Sequence, residues 1–440
     1  MIEVNKNQTQ STEPTSISNE PVESSKVRTI AGISIGNALE YFDLTIFTFF
    51  AIYIGHAAFP TSSPTAQVLL SLAIYGVGYL VRPIGAIVLG RYADRKGRKK
   101  AINLTLMLMA FGTCLIGFAP TYESIGVLSA VWITIGRLIQ GFSAGGETGS
   151  STTLLAESAP NHQRNFYVSW QVASQGMAVL LASTISITLS LILLKEEMQS
   201  WGWRIPFLLG LLVVPIGLIL RKTLSETLDT HENKVVVKNT KQVSLLSQWR
   251  CVLQGLFLLM GVNAGYSIIN LYMPTYGVHE LGLSPTISST ASFIAAMMTI
   301  IFSPICGLLC DKYSHKILFI IGRVILIILI YPVFLVINTY PSATTLLIGI
   351  GLLSFIGAIT SIGVLTILTE LFPKNIRVTG FSIIYGISVA LAGGFGQFIV
   401  TYLIKITGNP LSPAFYLIVL GIGSLIAALT IKIQSNKEFI

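Results

Sequence analysis

Charge is what this chain has least of. Only 11% of its 440 residues are Asp, Glu, Lys or Arg, where a soluble globular protein carries about 25%. With 52% hydrophobic residues and a mean hydropathy of +0.73, that shortfall excludes an ordinary water-soluble domain and points to a polytopic membrane protein. Histidine and cysteine are scarce too. His56, His162, His231, His279 and His315 fall in expected loops or span ends, and no nucleophile–base or metal-ligating constellation forms around them. Cys114, Cys251, Cys306 and Cys310 lie within or beside apolar runs and read as small buried hydrophobes. Enzyme chemistry, a resident metal and a cofactor are therefore not expected. No ligand-reading soluble domain interrupts the apolar runs, which disfavours a receptor. The excess of 28 Lys and Arg over 19 Asp and Glu is to be read by location, and does not point to nucleic acid.

Residues 1–27 are rich in Ser, Thr, Asn, Glu and Pro and read as a disordered tail. They lack the basic start, short apolar core and cleavage site of a signal peptide. About twelve stretches then reach the roughly 20 apolar residues needed to cross a bilayer. They fall at 28–54, 67–89, 101–119, 124–156, 163–194, 203–221, 249–277, 286–310, 316–338, 342–371, 376–405 and 411–433. Polar residues 222–248 read as a linker joining two six-helix bundles, 28–221 and 249–433, with a short tail at 434–440.

The cations choose the orientation. Even-numbered loops hold Arg91, Arg95, Lys96, Arg98, Lys99, Lys100, Arg164, Lys222, Lys234, Lys238, Lys241, Lys312, Lys374 and Arg377, and the opposite side only Lys195, Arg204 and Lys405. By the positive-inside rule both termini are expected to be cytoplasmic. The densest knot is Gly90-Arg-Tyr-Ala-Asp94-Arg-Lys-Gly97-Arg-Lys-Lys100. Gly90 is expected to permit close helix contact, Asp94 to accept hydrogen bonds, and Gly97 to supply a turn. The halves repeat weakly. Glu157-Ser-Ala-Pro160-Asn-His-Gln-Arg164 aligns with Glu370-Leu-Phe-Pro373-Lys-Asn-Ile-Arg377, and the basic knot has a worn copy at Gly307-Leu-Leu-Cys-Asp311-Lys312. These loops form a candidate gate. Asp94 is expected to accept from free N–H groups around residues 375–378, where a helix dipole favours an anion. Arg98 is expected to reach Glu157 or Glu147. The degraded second copy leaves the first-half loop, with Arg95, as the main share.

Ionisable and polar groups inside spans are costly and usually functional. The first span carries Asn37, Glu40, Tyr41 and Asp43. Glu40 and Asp43, three residues apart, should share one face, so that one carboxyl takes up a proton more readily than an isolated one. Arg82 needs a carboxylate partner or an anionic substrate, and structural pairing with Glu40 or Asp43 is an equal alternative. Arg137 lies near the midplane, and its counterpart in the other half is Ile350. A charge kept in one half only is hard to explain as shared scaffold. Gln140 follows one turn later, and glycines at 141, 145, 146 and 149 suit tight helix contact. Gln171, Gln175, Asn263, Tyr266, Asn270 and Tyr385 complete a set of ligand candidates, each of which alone is more often helix glue.

The knot resembles the loop between the second and third helices of major facilitator superfamily transporters, Gly-x-x-x-Asp-Arg-x-Gly-Arg-Arg/Lys. Gly36-Asn37-Ala-Leu-Glu40-Tyr-Phe-Asp43, Val81-Arg82-Pro83-Ile-Gly85, Gln140-Gly-Phe-Ser-Ala-Gly-Gly146-Glu147 and Trp201-Gly-Trp-Arg-Ile-Pro-Phe207 are similar to its metabolite–proton symporter branch. Within that branch the chain most resembles citrate–proton carriers, on Gly136-Arg-Leu-Ile-Gln140-Gly-Phe-Ser-Ala144, Ser169-Trp-Gln171 and Arg377-Val-Thr-Gly-Phe-Ser382. The resemblance implies an all-α, twelve-helix fold of two bundles related by pseudo-two-fold symmetry. It also implies alternating access, with a small organic anion and protons as partners in a plasma (inner) membrane. Proline/betaine-type osmolyte transport is the alternative. A monomer in the lipid bilayer is expected. Asp311-Lys312-Tyr-Ser-His-Lys316 departs from the pattern by lacking its Gly-Arg-Arg, and the long C-terminal coiled coil of some osmolyte carriers is not expected here.

Overall fold

Serine and proline set where several spans begin. Ser63, Ser284 and Ser342 are N-caps whose hydroxyls accept from the N–H of Ala66, Ile287 and Thr345. Pro64 and Pro285 follow in the first turn, where a missing N–H costs nothing. The computed structural model describes residues 22–59, 63–96, 98–145, 151–152, 155–156, 158–211, 248–372 and 377–431. The first bundle holds α1 (Val22–Phe49), α2 (Pro64–Tyr92), α3 (Asn103–Gly117), α4 (Leu128–Ala144), α5 (Arg164–Ile192) and α6 (Ile205–Gly210). The second holds α7 (Trp249–Leu271), α8 (Pro285–Lys312), α9 (His315–Thr339), α10 (Ala343–Leu371), α11 (Gly380–Thr407) and α12 (Ser412–Thr430).

Eleven of the expected spans have a helix of ten residues or more, and the sixth, 203–221, is described only as far as residue 211, where its first turns are seen. Among the described residues eight helices are long and apolar enough to cross a membrane, and a ninth span is completed if α1 is joined to its bent continuation Ala51–Ala58. No strand occurs among those residues, so the fold is all-α and membrane-spanning. Ile84, Ile87, Met107, Phe111, Ile328 and Ile348 are exposed on its outside, as suits a solvent of lipid tails. The expected tail and linker fall almost wholly outside the described residues, and α1 starts at Val22, ahead of the boundary at 28.

α1 is not the unbroken span expected. It bends by 62° into Ala51–Ala58. Thr48 turns its hydroxyl back onto the Thr45 carbonyl at 2.9 Å, and the Phe50 N–H bonds to the Phe47 carbonyl at 3.3 Å. The regular ladder is interrupted there without proline or glycine. α7 and α11 are also irregular, each with a π-helical segment, Tyr266–Leu271 and Val389–Gly394. The Ser267 hydroxyl donates to the Gly393 carbonyl at 2.6 Å, so the two wide turns lie against each other. Such turns recur at functional sites.

Glycine brings α2 and α4 to backbone contact. A Cβ at Gly141 would stand 1.7 Å from the Gly78 carbonyl oxygen, one at Gly85 1.9 Å from that of Phe142, and one at Gly145 2.1 Å from that of Arg82. Arg82 and Arg137 are thus carried on one locked helix pair. Gly141→Val is expected to cost at least about 3 kcal/mol, read as loss of monodisperse protein in detergent; wild-type yield and melting would refute the contact. Gly90 is different. It is exposed, and a Cβ there would meet nothing within 4 Å, so the close contact expected of it is not made: this position faces outward, past the α2–α4 crossing.

Candidate functional site

α1 carries both carboxylates to the interior, Asp43 at 2% exposure and Glu40 at 6%. Residues three apart on a helix differ by about 60° in direction, and the two carboxylates have different neighbours. Asp43 is hydrogen-bonded by Thr113 of α3 and lies in the field of Arg137. Glu40 lies in the field of Arg82.

Asp43 and Arg137 are joined by a relay. Arg137 Nη1 donates to Gln140 Oε1 at 2.9 Å, and Gln140 Nε2 donates to Thr113 Oγ1 at 2.8 Å. Thr113, its oxygen already accepting, has its proton for Asp43. The guanidinium of Arg137 is flanked by the rings of Phe47 and Tyr75, at 4.7 and 4.8 Å from their centroids. Tyr75 and Tyr79 share a hydroxyl hydrogen bond of 2.8 Å, and Arg82 lies over the Tyr79 ring at 4.2 Å. One continuous strip therefore runs Asp43, Thr113, Gln140, Arg137, Tyr75, Tyr79, Arg82. Asp43 Oδ1, and Nε and Nη2 of both arginines, are buried without a hydrogen-bond partner.

The remaining polar candidates divide. Asn37 and Gln171 satisfy each other: Gln171 Nε2 donates to Asn37 Oδ1 at 2.9 Å, and Asn37 Nδ2 donates to Ser174 at 2.6 Å. Both amide ends of Asn37 are thus used in holding α1 to α5. Asn263 likewise donates to Ser388 at 2.9 Å. Tyr41, Gln175, Tyr266 and Tyr385 meet at the seam between the halves. The Tyr41 and Tyr385 hydroxyls are 2.5 Å apart, Gln175 Nε2 reaches Tyr385 at 3.5 Å, and the Tyr266 hydroxyl donates to the Gln175 carbonyl at 3.3 Å. Asn270 accepts from Thr299 at 3.4 Å.

At the basic-loop end the worn copy does more than expected. Asp311 accepts from the backbone N–H of Asn165 at 2.7 Å and of Phe166 at 2.9 Å, and from Asn165 Nδ2 at 2.9 Å. It thereby caps the N-terminus of α5 across the seam. Asn165 Nδ2 also donates to the Cys310 carbonyl at 3.1 Å, and Asn165 Oδ1 accepts from Thr366 at 2.5 Å. The missing Gly-Arg-Arg leaves this capping intact because it needs only the carboxylate. His315 and Glu370 approach to 3.1 Å beside it. Arg95 is exposed and Arg164 half-buried at the start of α5. Gly97, Glu147 and Glu157, and the side chains of Asp94, Arg98 and Arg377, lie outside the described residues. At the far end the halves meet again, where Thr65 Oγ1 and His279 Nε2 lie 3.2 Å apart.

Asp311→Asn keeps the shape but removes the charge at a helix N-terminus, about 1–2 kcal/mol in a partly buried setting. Opening of this end is expected to become roughly 5–30-fold more frequent. Cys310, buried at 3% exposure, reports it through faster alkylation by a permeant maleimide. An unchanged rate would remove Asp311 from the latch.

Sequence reading missed Thr113, Tyr75 and Tyr79, which look like ordinary span residues, and Asn165. It also passed over Arg323, which was visible as a charge within an apolar span. Its guanidinium is buried in the second bundle, where Nη1 donates to the Gly261 carbonyl at 3.2 Å and Nε and Nη2 have no partner.

Buried charge is strung along the seam of two helical bundles, whose halves also meet by side-chain contacts at both ends. The chain matches the family model described as Major Facilitator Superfamily over residues 33–396 and 278–437, and it belongs to that superfamily. It is 36% identical over 403 residues to a citrate-proton symporter of Klebsiella pneumoniae, covering 91% of each chain. To a citrate-proton symporter of Salmonella typhi it is 33% identical, covering 93% of this chain and 95% of the other. To the proline/betaine transporter of Escherichia coli (strain K12) it is 31% identical, over 93% and 84% respectively. The inward-open xylose transporter of E. coli shares the fold, with a TM-score of 0.72 at 17% identity, covering 94% of this chain and 98% of that one.

Proposed function

We propose that the protein is a proton-coupled symporter that imports a small di- or tricarboxylate such as citrate by alternating access. The observation that carries this is Arg82: a guanidinium at 3% exposure, facing the seam, with Nε and Nη2 unpartnered. A planar fork of free donors suits a carboxylate. Citrate-proton symporters at 36% and 33% identity support the substrate class. Asp43, joined to Arg137 by the relay, is the group proposed to take up the proton. Glu40 then balances Arg82 between anions. The protein works as a monomer in the inner membrane, with the basic loops and both termini in the cytoplasm.

In this mechanism the latch of Asp311 on α5, with the basic loop around Asp94, Arg95 and Arg98, opens and closes the cytoplasmic end, and the contact of Thr65 with His279 the other. The osmolyte reading keeps one specific support: Tyr41, Tyr79, Tyr266 and Tyr385 crowd the seam, and aromatic faces attract a quaternary ammonium. Uptake into liposomes under an inward pH gradient separates the two. Citrate accumulation that collapses with the gradient and is not inhibited by betaine or proline is expected. Betaine accumulation insensitive to citrate would replace the anion with a zwitterion.

A further inference from the structure

Arg82 and Arg137 stand in the first bundle, and Arg82 has the uncharged Tyr385 of the second as a neighbour. Between α5, α7, α8, α9 and α10 lies a cavity whose polar lining is Tyr266, Asn270, Thr299, Ser354, Thr360 and Ser361, with no charged side chain among the lining residues. Its space comes from two glycines. A Cβ at Gly265 or at Gly357, both of which line it, would meet no atom within 4 Å.

The polar groups here are under-used. Ser354, at 3% exposure, has a buried hydroxyl with no partner, a costly state away from water. The side-chain oxygen of Asn270 receives only a long bond of 3.4 Å from Thr299. At about 30 Å³ the cavity admits a water or a hydroxyl group but not a whole tricarboxylate. Tyr266 links it to the seam, because it lines the cavity while its hydroxyl donates to the carbonyl of Gln175, whose side chain reaches Tyr385 and through it Tyr41.

We propose that this cavity receives an uncharged hydroxyl of the transported anion, so that the first bundle holds carboxylate and the second selects hydroxy acids over their deoxy analogues. The inference rests on the organic-anion reading above. A site built to hydrogen-bond a hydroxyl rejects the analogue lacking it, because its own buried groups are then left unpaired.

The test compares citrate with tricarballylate, the same skeleton without the hydroxyl, and malate with succinate, in proteoliposomes. The wild type is expected to favour each hydroxy acid by about tenfold or more. Ser354→Ala, and separately Gly357→Leu to fill the cavity, should bring the ratio toward one through loss of hydroxy-acid uptake. The deoxy acid measured in the same vesicles is the reference for folding, and Ser354→Ala decides if Gly357→Leu is inactive toward both. A wild type without preference, or a ratio unmoved in Ser354→Ala, overturns the subsite and leaves anion transport standing. A wild type that takes up none of the four acids overturns the organic-anion reading and the subsite with it.

Discussion

Arg82→Leu is expected to weaken anion uptake by at least about 30-fold, the lower end of the roughly 2–5 kcal/mol lost when a buried, paired charge is truncated. The argument rests on where the guanidinium is held and what it lacks. It sits on the Tyr79 ring at 4.2 Å, with Glu40 in its field, and two of its nitrogens have no hydrogen-bond partner. Burying such a cation costs several kcal/mol. Two further readouts separate binding from folding. Arg82→Leu leaves the buried Glu40 without its cation, so folding is read on Arg82→Leu combined with Glu40→Gln, which removes both buried charges and should melt at or above the wild type while still failing to take up the anion. Arg82→Lys keeps the charge but not the fork, and is expected to recover only part of the uptake, mostly at high substrate. Full activity in Arg82→Leu would take the anion away from this residue.

Much of the scaffold was legible because membrane folding obeys few rules. Twenty-residue apolar runs had to be helices, and the glycines at 141 and 145 had to be contacts. What could not be read was direction. Glu40 and Asp43 are one turn apart in sequence, yet the rotation between them sends one to Arg82 and the other to Thr113. No sequence period distinguishes a shared proton site from two separate ion partners at that spacing. The bend after Phe49 was equally hidden, since it depends on which carbonyl the Thr48 hydroxyl selects. Gly90 was over-read: a glycine in a motif suggested a contact, but the helix had already passed its crossing. Asp311 was under-read, because motif decay was judged by the missing arginines when the contact across the seam needs one carboxylate and two N–H groups.

The separate ion partners make the second large effect specific to one carboxylate. Asp43→Asn is isosteric and mimics a permanently protonated side chain, so the relay through Thr113 and Gln140 to Arg137 keeps its geometry while the charge is lost. Accumulation driven by a pH gradient is expected to fall by at least about tenfold, equivalent to about 1.4 kcal/mol or more of lost coupling. Exchange of labelled for unlabelled substrate needs no net proton movement and should persist. The sign of the pH response follows. Wild-type uptake should rise as the outside pH falls, because protonation of a buried carboxyl permits the loaded carrier to reorient, whereas Asp43→Asn should be flat over the same range. Glu40→Gln is the discriminating partner, since Glu40 stands beside Arg82 and its loss should alter anion affinity with the pH response retained. If Glu40→Gln flattens the profile and Asp43→Asn does not, the two roles are exchanged, and the proton is carried next to the substrate's own arginine.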